Sequence, residues 1–153
     1  GVAGERVVLL GVIPGHRGHL EAYQQIDIAL DTCPYHGTTT TCAALWMGVP
    51  VIVLAGSTHV SRVGVSLLSA VELAEFIADS PMRYVELAVS TARDPDRLGR
   101  LRAQLRDRMT GSPLTAATGF TRSLEEAYRR MWGRWCGNLN TLGGTVHAAT
   151  PFP

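Results

Sequence analysis

Residues Pro34–Gly56 read PYHGTTTTCAALWMGVPVIVLAG. Gly37 is followed by a run of threonines, Thr38–Thr41, and then by an apolar segment that ends at Gly48 with Pro50 just beyond. Glycine after the last periodic residue and proline shortly after it are the usual stop of a helix. Val51–Leu54 is an unbroken aliphatic run, without the alternation of a strand that has one wet face. It fits a strand covered on both sides, as in a parallel sheet. A loop, a helix opening on hydroxyls and a buried strand, in that order, make an α/β chain.

The flanking sequence repeats the pattern. ERVVLLG (Glu5–Gly11) and IDIALD (Ile26–Asp31) are further aliphatic runs, separated by GHLEAYQQI (Gly18–Ile26), which carries Leu20, Tyr23 and Ile26 on one side. Strands are predicted at Val7–Leu10, Ile28–Leu30 and Val51–Leu54, all parallel, with helices on both faces. After them the chain turns helical. Ser57 or Thr58 is an N-cap candidate, Pro81 suits a first helical turn, and Asp94–Pro95 opens a helix with Leu98, Leu101, Leu105 and Met109 in a stripe. The arginines of that helix read as a solvated face. FTRSLEEAYRRMWGRWC is a last amphipathic helix, with Ser123 and Glu126 placed for a capping box and an aromatic stripe suited to core or docking surface. Residues 1–136 are expected to form one partial domain, and residues 137–153, rich in turn formers, a loose tail. A doubly wound domain has about five or six strands, so further βα units are expected upstream.

Composition narrows the function classes. The chain has 153 residues, 46% hydrophobic and 18% charged, with a formal net charge of +1, which offers no electrostatic handle for nucleic acid or an anionic membrane. No run approaches the ~20 apolar residues of a spanning helix. All 14 basic residues are arginine, so no lysine is present to form a Schiff base or meet a phosphate. Cys33, Cys42 and Cys136 form no CxxC pair, and an odd count without an export signal predicts a reducing, cytoplasmic setting. No zinc-ligand spacing, GxSxG elbow, P-loop or GxGxxG occurs.

In open α/β folds ligands bind beyond the carboxyl ends of the strands. Asp31 ends the second predicted strand, and the loop after it leads to Thr38–Thr41. Free N–H groups and the positive dipole end of a helix bind phosphate there, Gly37 permits close backbone approach, and the threonine hydroxyls can donate to phosphate oxygens or simply cap the helix. His19 and His36 lie in loops on the same rim, and a histidine there can stack on a base or donate to a phosphate. His16 and His59 share the location with weaker placement. Asp31 could serve as a base or cap its own loop.

These residues carry a resemblance. The segment HLEAYQQIDIALDTCPYHGTTTTCAALWMGVPVIVLAG, followed in order by SRVGVSLL, YVELAV, SPL and FTRSLEEAYRRMWGRWC, resembles the C-terminal part of the bacterial-type protein O-GlcNAc transferase family, over about Glu5 to Cys136. The resemblance implies a GT-B fold and inverting transfer of N-acetylglucosamine from UDP-GlcNAc to serine or threonine hydroxyls of a protein or peptide, with no metal and no other cofactor. It implies that His19 contacts the nucleotide and that Thr39 and Thr40 bind the diphosphate. Gly37 and Thr38 complete that turn, and the backbone at Val12–Pro14 touches the uracil. Departures are Ala43, where the family carries an acidic residue for the ribose, and the absence from this sequence of the N-terminal catalytic half, its diphosphate lysine and tetratricopeptide repeats. No catalytic base is named here, and the isolated chain is expected to be inactive. The alternative is a truncated or degenerate binding module of the same fold.

Overall fold

The computed structural model describes residues 1–141, with side chains described through Gly137. Residues from Ala116 onward form a unit separate from Gly1–Thr115. In the first unit the elements run α1 (His16–Ala22), β1 (Ala29–Leu30), α2 (Thr39–Trp46), β2 (Val51–Leu54), α3 (Val63–Ala70), β3 (Ile77–Ala78), α4 (Pro81–Ala92) and α5 (Pro95–Thr110). Short 3-10 turns lie at Tyr23–Gln25, His59–Ser61 and Ala74–Phe76.

The sheet is parallel, in the order β1-β2-β3. Ala29 pairs with Val51 and Leu30 with Ile52; Val53 pairs with Ile77 and Leu54 with Ala78. Successive side chains of a strand point to opposite faces, yet Val51, Ile52 and Val53 are all buried. Both faces of β2 are therefore covered, as the unbroken run predicts. Leu45, Leu68, Leu73, Phe76 and Leu105 fill the core around it.

Two predicted strands form and one does not. Val7–Leu10 is irregular and its side chains are exposed, Leu9 by 91%. An aliphatic run becomes a strand only where its N–H and C=O groups meet a ladder, and the outer edge of β1 has no partner among the described residues. The third strand is instead Ile77–Ala78, too short to show a period in the sequence.

Helix boundaries follow local chemistry. Gly48, at φ 78°, ends α2, with its N–H donating to Leu45 O and that of Val49 to Ala44 O. A Cβ there would lie 3.0 Å from the Arg102 carbonyl oxygen, so glycine serves both conformation and close approach. Ser80 and Asp94 cap α4 and α5 through their side chains, each followed by proline in the first turn. Thr58 and Ser61 form a reciprocal capping box on the 3-10 turn before α3.

Helix α5 buries Leu98, Leu101, Leu105 and Met109, the predicted stripe. Its arginines are not merely solvated. Arg102 donates to Ile26 O, Arg106 to Trp46 O and Arg108 to Glu72 O. All three carbonyls end or follow a helical turn, where unpaired C=O groups and the negative dipole end attract a cation. Arg106 also lies over the Trp46 ring at 5.3 Å.

In the second unit, α6 runs from Ala117 to Thr141. The helix thus extends past Cys136 into the segment expected to be loose; residues 142–153 of that segment lie outside the described residues. Ser123 falls inside α6 and caps nothing, because the helix begins earlier, and Glu126 pairs with Arg130 at 2.8 Å. Phe120, Tyr128, Met131 and Trp135 are exposed.

Candidate functional site

The threonine run sits where α2 begins, beyond the carboxyl end of β1. Thr38 is the N-cap residue, and its side chain makes no capping bond. The first N–H groups of α2 therefore lack the side-chain acceptor that Ser80 and Asp94 provide for α4 and α5. Thr38, Thr39 and Thr40 are exposed. Thr41 is different: it is buried and its hydroxyl donates to Gly37 O at 2.9 Å. Thr38–Thr40 are thus exposed at a helix start without a side-chain cap, the Thr40 hydroxyl lying against Gly37, while the fourth threonine locks the turn.

A cleft of about 180 Å3 opens beside this turn, lined by Tyr23, Asp31, Thr32, Gly37, Thr40 and Thr41 among others. It is smaller than the ~300–1,000 Å3 of a small-molecule pocket, giving room for a phosphate group rather than a whole nucleotide sugar. A Cβ on Gly37 would collide with the Thr40 hydroxyl and come within 3.1 Å of that of Thr41. The crowding at this glycine therefore comes from the chain's own threonine side chains.

His19 is exposed on α1 and meets Tyr23 edge-on, with ring centroids 5.6 Å apart. The Tyr23 hydroxyl donates to Thr40 O at 3.2 Å. One side chain therefore joins His19 to the first turn of α2, and the two predicted groups share one rim. Burial raises the Tyr23 pKa, so the phenol stays protonated as a donor. Pro14 is exposed just ahead of α1 and is not part of the cleft lining.

His36 lies elsewhere than on the surface. It is 1% exposed. The Gly64 N–H donates to its Nδ1 at 3.1 Å, so the ring proton is assigned to Nε2, which donates to Leu54 O at 3.0 Å. Both nitrogens are spent on the backbone, and the imidazole is an internal strut rather than a ligand contact. Its sequence position in a polar loop carried no sign of this, because its partners are 18 and 28 residues away.

Asp31 caps its own loop. Its Oδ1 accepts from the N–H groups of Thr32 and Gly37, each at 2.9 Å. Its Oδ2 is buried with no hydrogen-bond partner among the described residues. The Tyr84 hydroxyl, from α4, donates to the Asp31 backbone oxygen at 2.8 Å. Burial, then the charges of Asp31 and Cys33, raise the Tyr84 pKa and keep that donor protonated. Tyr23 and Tyr84 are the residues a reading of the sequence misses. Tyr23 reads as part of an apolar stripe and Tyr84 as an ordinary helix residue, and only the hydroxyl partner of each reveals the second role. Among the described residues no group of three His, Cys, Asp or Glu side chains gathers around a metal-sized space, and no helix is long and apolar enough to cross a membrane.

Comparison with known proteins shows the family. The profile of glycosyl transferase family 41 matches residues 1–124. The chain belongs to glycosyl transferase family 41. Its relatives include the "probable UDP-N-acetylglucosamine--peptide N-acetylglucosaminyltransferase SPINDLY" of Arabidopsis thaliana, 48% identical over 136 residues, covering 89% of this chain and 15% of the relative. A UDP-N-acetylglucosamine--peptide N-acetylglucosaminyltransferase of Caenorhabditis elegans is 30% identical over 133 residues, covering 87% of this chain and 12% of the relative. Among solved structures, a mutant O-GlcNAc transferase of Thermobaculum terrenum superposes with a TM-score of 0.82 at 42% identity, over 90% of this chain and 26% of that one. This family 41 chain therefore spans about a seventh of the SPINDLY relative and about a quarter of the solved one. Its parallel sheet and helices match the C-terminal, Rossmann-like domain of a GT-B glycosyltransferase.

Proposed function

We propose that this family 41 chain forms the nucleotide side of the donor site of a UDP-GlcNAc-dependent protein O-GlcNAc transferase. The carrying observation is the uncapped start of α2, with Thr38–Thr40 exposed at the carboxyl end of β1. A diphosphate seated there meets N–H groups, a favourable dipole and the Thr39 and Thr40 hydroxyls. Its charge is met by dipoles and hydroxyls of this chain, with no metal required. His19, joined to the turn through Tyr23, supports placing the base on that side, next to the backbone at Pro14. Transfer to a serine or threonine hydroxyl of a protein acceptor then takes place with the sugar held against a second, N-terminal half. The cytoplasm is the proposed setting.

A degenerate, non-catalytic module is the second reading, favoured by Ala43. That residue stands one turn after Thr39 on α2 and offers no polar atom to a ribose.

Titration calorimetry with UDP on the full-length protein separates binding from its absence. Thr39→Val combined with Thr40→Val removes two hydroxyl donors with little change of volume. It is expected to weaken UDP by about a hundredfold or more, each of the two lost bonds to a charged group being worth about 1.5–3 kcal/mol. Equal affinity in the wild type and the double variant overturns the assignment.

A further inference from the structure

The Asp31 carboxylate is the most heavily engaged group near the cleft that no ligand need touch. Its side chain is only 6% exposed. Oδ1 takes both the Thr32 and the Gly37 N–H, which closes the loop between the end of β1 and the start of α2. Asp31 is itself anchored at two backbone points. Its N–H donates to Ile52 O, extending the ladder to β2, and its C=O accepts from Tyr84. Opposite Oδ2 stands the N-terminal turn of α3: a Cβ on Gly64 would come within 3.0 Å of Oδ2, 2.9 Å of His36 Nδ1 and 2.6 Å of Val53 Cγ1. The positive end of the α3 dipole thus faces the orphan oxygen and offsets part of its lost hydration. His36 bridges the same elements from inside the loop, through Leu54 O and the Gly64 N–H. Its Nδ1 stands 3.9 Å from Oδ2 with no proton between them, since Nδ1 already accepts from Gly64.

We propose that Asp31, with His36 behind it, is a positioning residue of the phosphate cradle: it sets the turn at Gly37 from which the Thr38–Thr40 hydroxyls and amides are aimed, and ties that turn to β2, α3 and α4. This rests on the donor-site reading above. Neither side chain has a free donor to offer the ligand. Asp31 Oδ1 is occupied by two amides, and His36 has no free nitrogen. Their effect reaches the donor only through the turn.

Asp31→Asn keeps a carbonyl oxygen at Oδ1 and so keeps both amide acceptances. Asp31→Ala removes them. In the full-length protein, UDP affinity by calorimetry is expected to fall by about tenfold or more in Asp31→Ala, the scale of one charge-assisted hydrogen bond, and to stay within about threefold of wild type in Asp31→Asn. Because the effect runs through the cradle, Asp31→Ala added to Thr39→Val and Thr40→Val is expected to cost much less than it costs alone. Hydrogen exchange of the peptide over residues 36–41 is expected to quicken in Asp31→Ala while that of α5 holds. Should Asp31→Ala fail to fold, Asp31→Glu displaces Oδ1 by one methylene and carries the same test. Wild-type affinity in Asp31→Ala, an Asp31→Asn as weak as the alanine variant, or losses that simply add in the combined variant each overturn the proposal. A wild-type protein that binds no UDP ends the donor-site reading and this one together, whereas UDP binding with an indifferent Asp31 ends this one alone.

Discussion

At the scale of single residues, the threonine run divides by direction rather than by type. Thr41 turns inward to Gly37 O and is structural, while Thr38–Thr40 stay outside. Side chains one helical turn apart share a face, so position 43 lies beside Thr39. A carboxylate at 43 would reach a ribose whose phosphates sit on Thr39. Ala43→Glu is therefore expected to tighten UDP, by a few-fold to about a hundredfold if one or two hydrogen bonds form. Calorimetry on the variant checks this. An unchanged or weaker affinity would separate position 43 from the ribose.

At the scale of elements, α2 differs from α4 and α5 in how it starts. Asp94 accepts from Arg97 N at 2.9 Å and Ser80 from Arg83 N at 3.3 Å, whereas Thr38 caps nothing. Asp94→Ala is expected to cost about 0.5–2 kcal/mol of stability. Thr38→Ala should stay within about 0.5 kcal/mol, as at a surface position without a special contact. Urea unfolding of both variants tests the contrast. A large loss in Thr38→Ala would mean that the hydroxyl holds the helix and is not held ready for a ligand. The other ends of the helices are served from outside. Arg102, Arg106 and Arg108, on one helix, reach carbonyls at Ile26, Trp46 and Glu72, so α5 joins three separate segments as well as covering the core.

At the scale of the whole molecule, the absence of lysine shapes the response to alkali. Arginine does not titrate below about pH 12, so side-chain losses between pH 9 and 11 fall to cysteine and tyrosine. Burial raises Cys42 above its ordinary 9.0, and Tyr23 and Tyr84 above 10.0, with the Asp31 and Cys33 charges adding to Tyr84. The folded state then holds these protons more tightly than the unfolded chain. Their contribution is fully present below pH 9 for Cys42 and below pH 10 for the tyrosines, and is lost as the pH rises through the folded values. Melting temperature is expected to fall above pH 9 and more steeply above pH 10. Tyr84→Phe should soften the second descent, at a cost near neutrality of about 0.5–1.5 kcal/mol for the lost bond to Asp31 O. An equally steep descent in the phenylalanine variant would assign the alkaline loss to other groups.

Local sequence was sufficient wherever one stretch of chain settles its own state. The β2 run, the glycine stop at Gly48, the helix starts at Pro81 and Asp94–Pro95 and the α5 stripe are all legible, because φ preference, helix-start chemistry and hydrophobic period act within a few residues. The threonine turn was legible as a candidate because strand ends and helix starts fall on predictable sides of a parallel sheet, whereas His19 comes near it through Tyr23 and not through a strand at Val7–Leu10. Tertiary structure alone decided the rest. It left Val7–Leu10 outside the sheet, made a strand of Ile77–Ala78, buried His36, drew the α5 arginines onto distant carbonyls and gave Asp31, Tyr23 and Tyr84 their partners. Each of those outcomes depends on a ladder edge, a carbonyl or an amide many residues away. The energy of such a contact exists only once the chain has brought its two ends together.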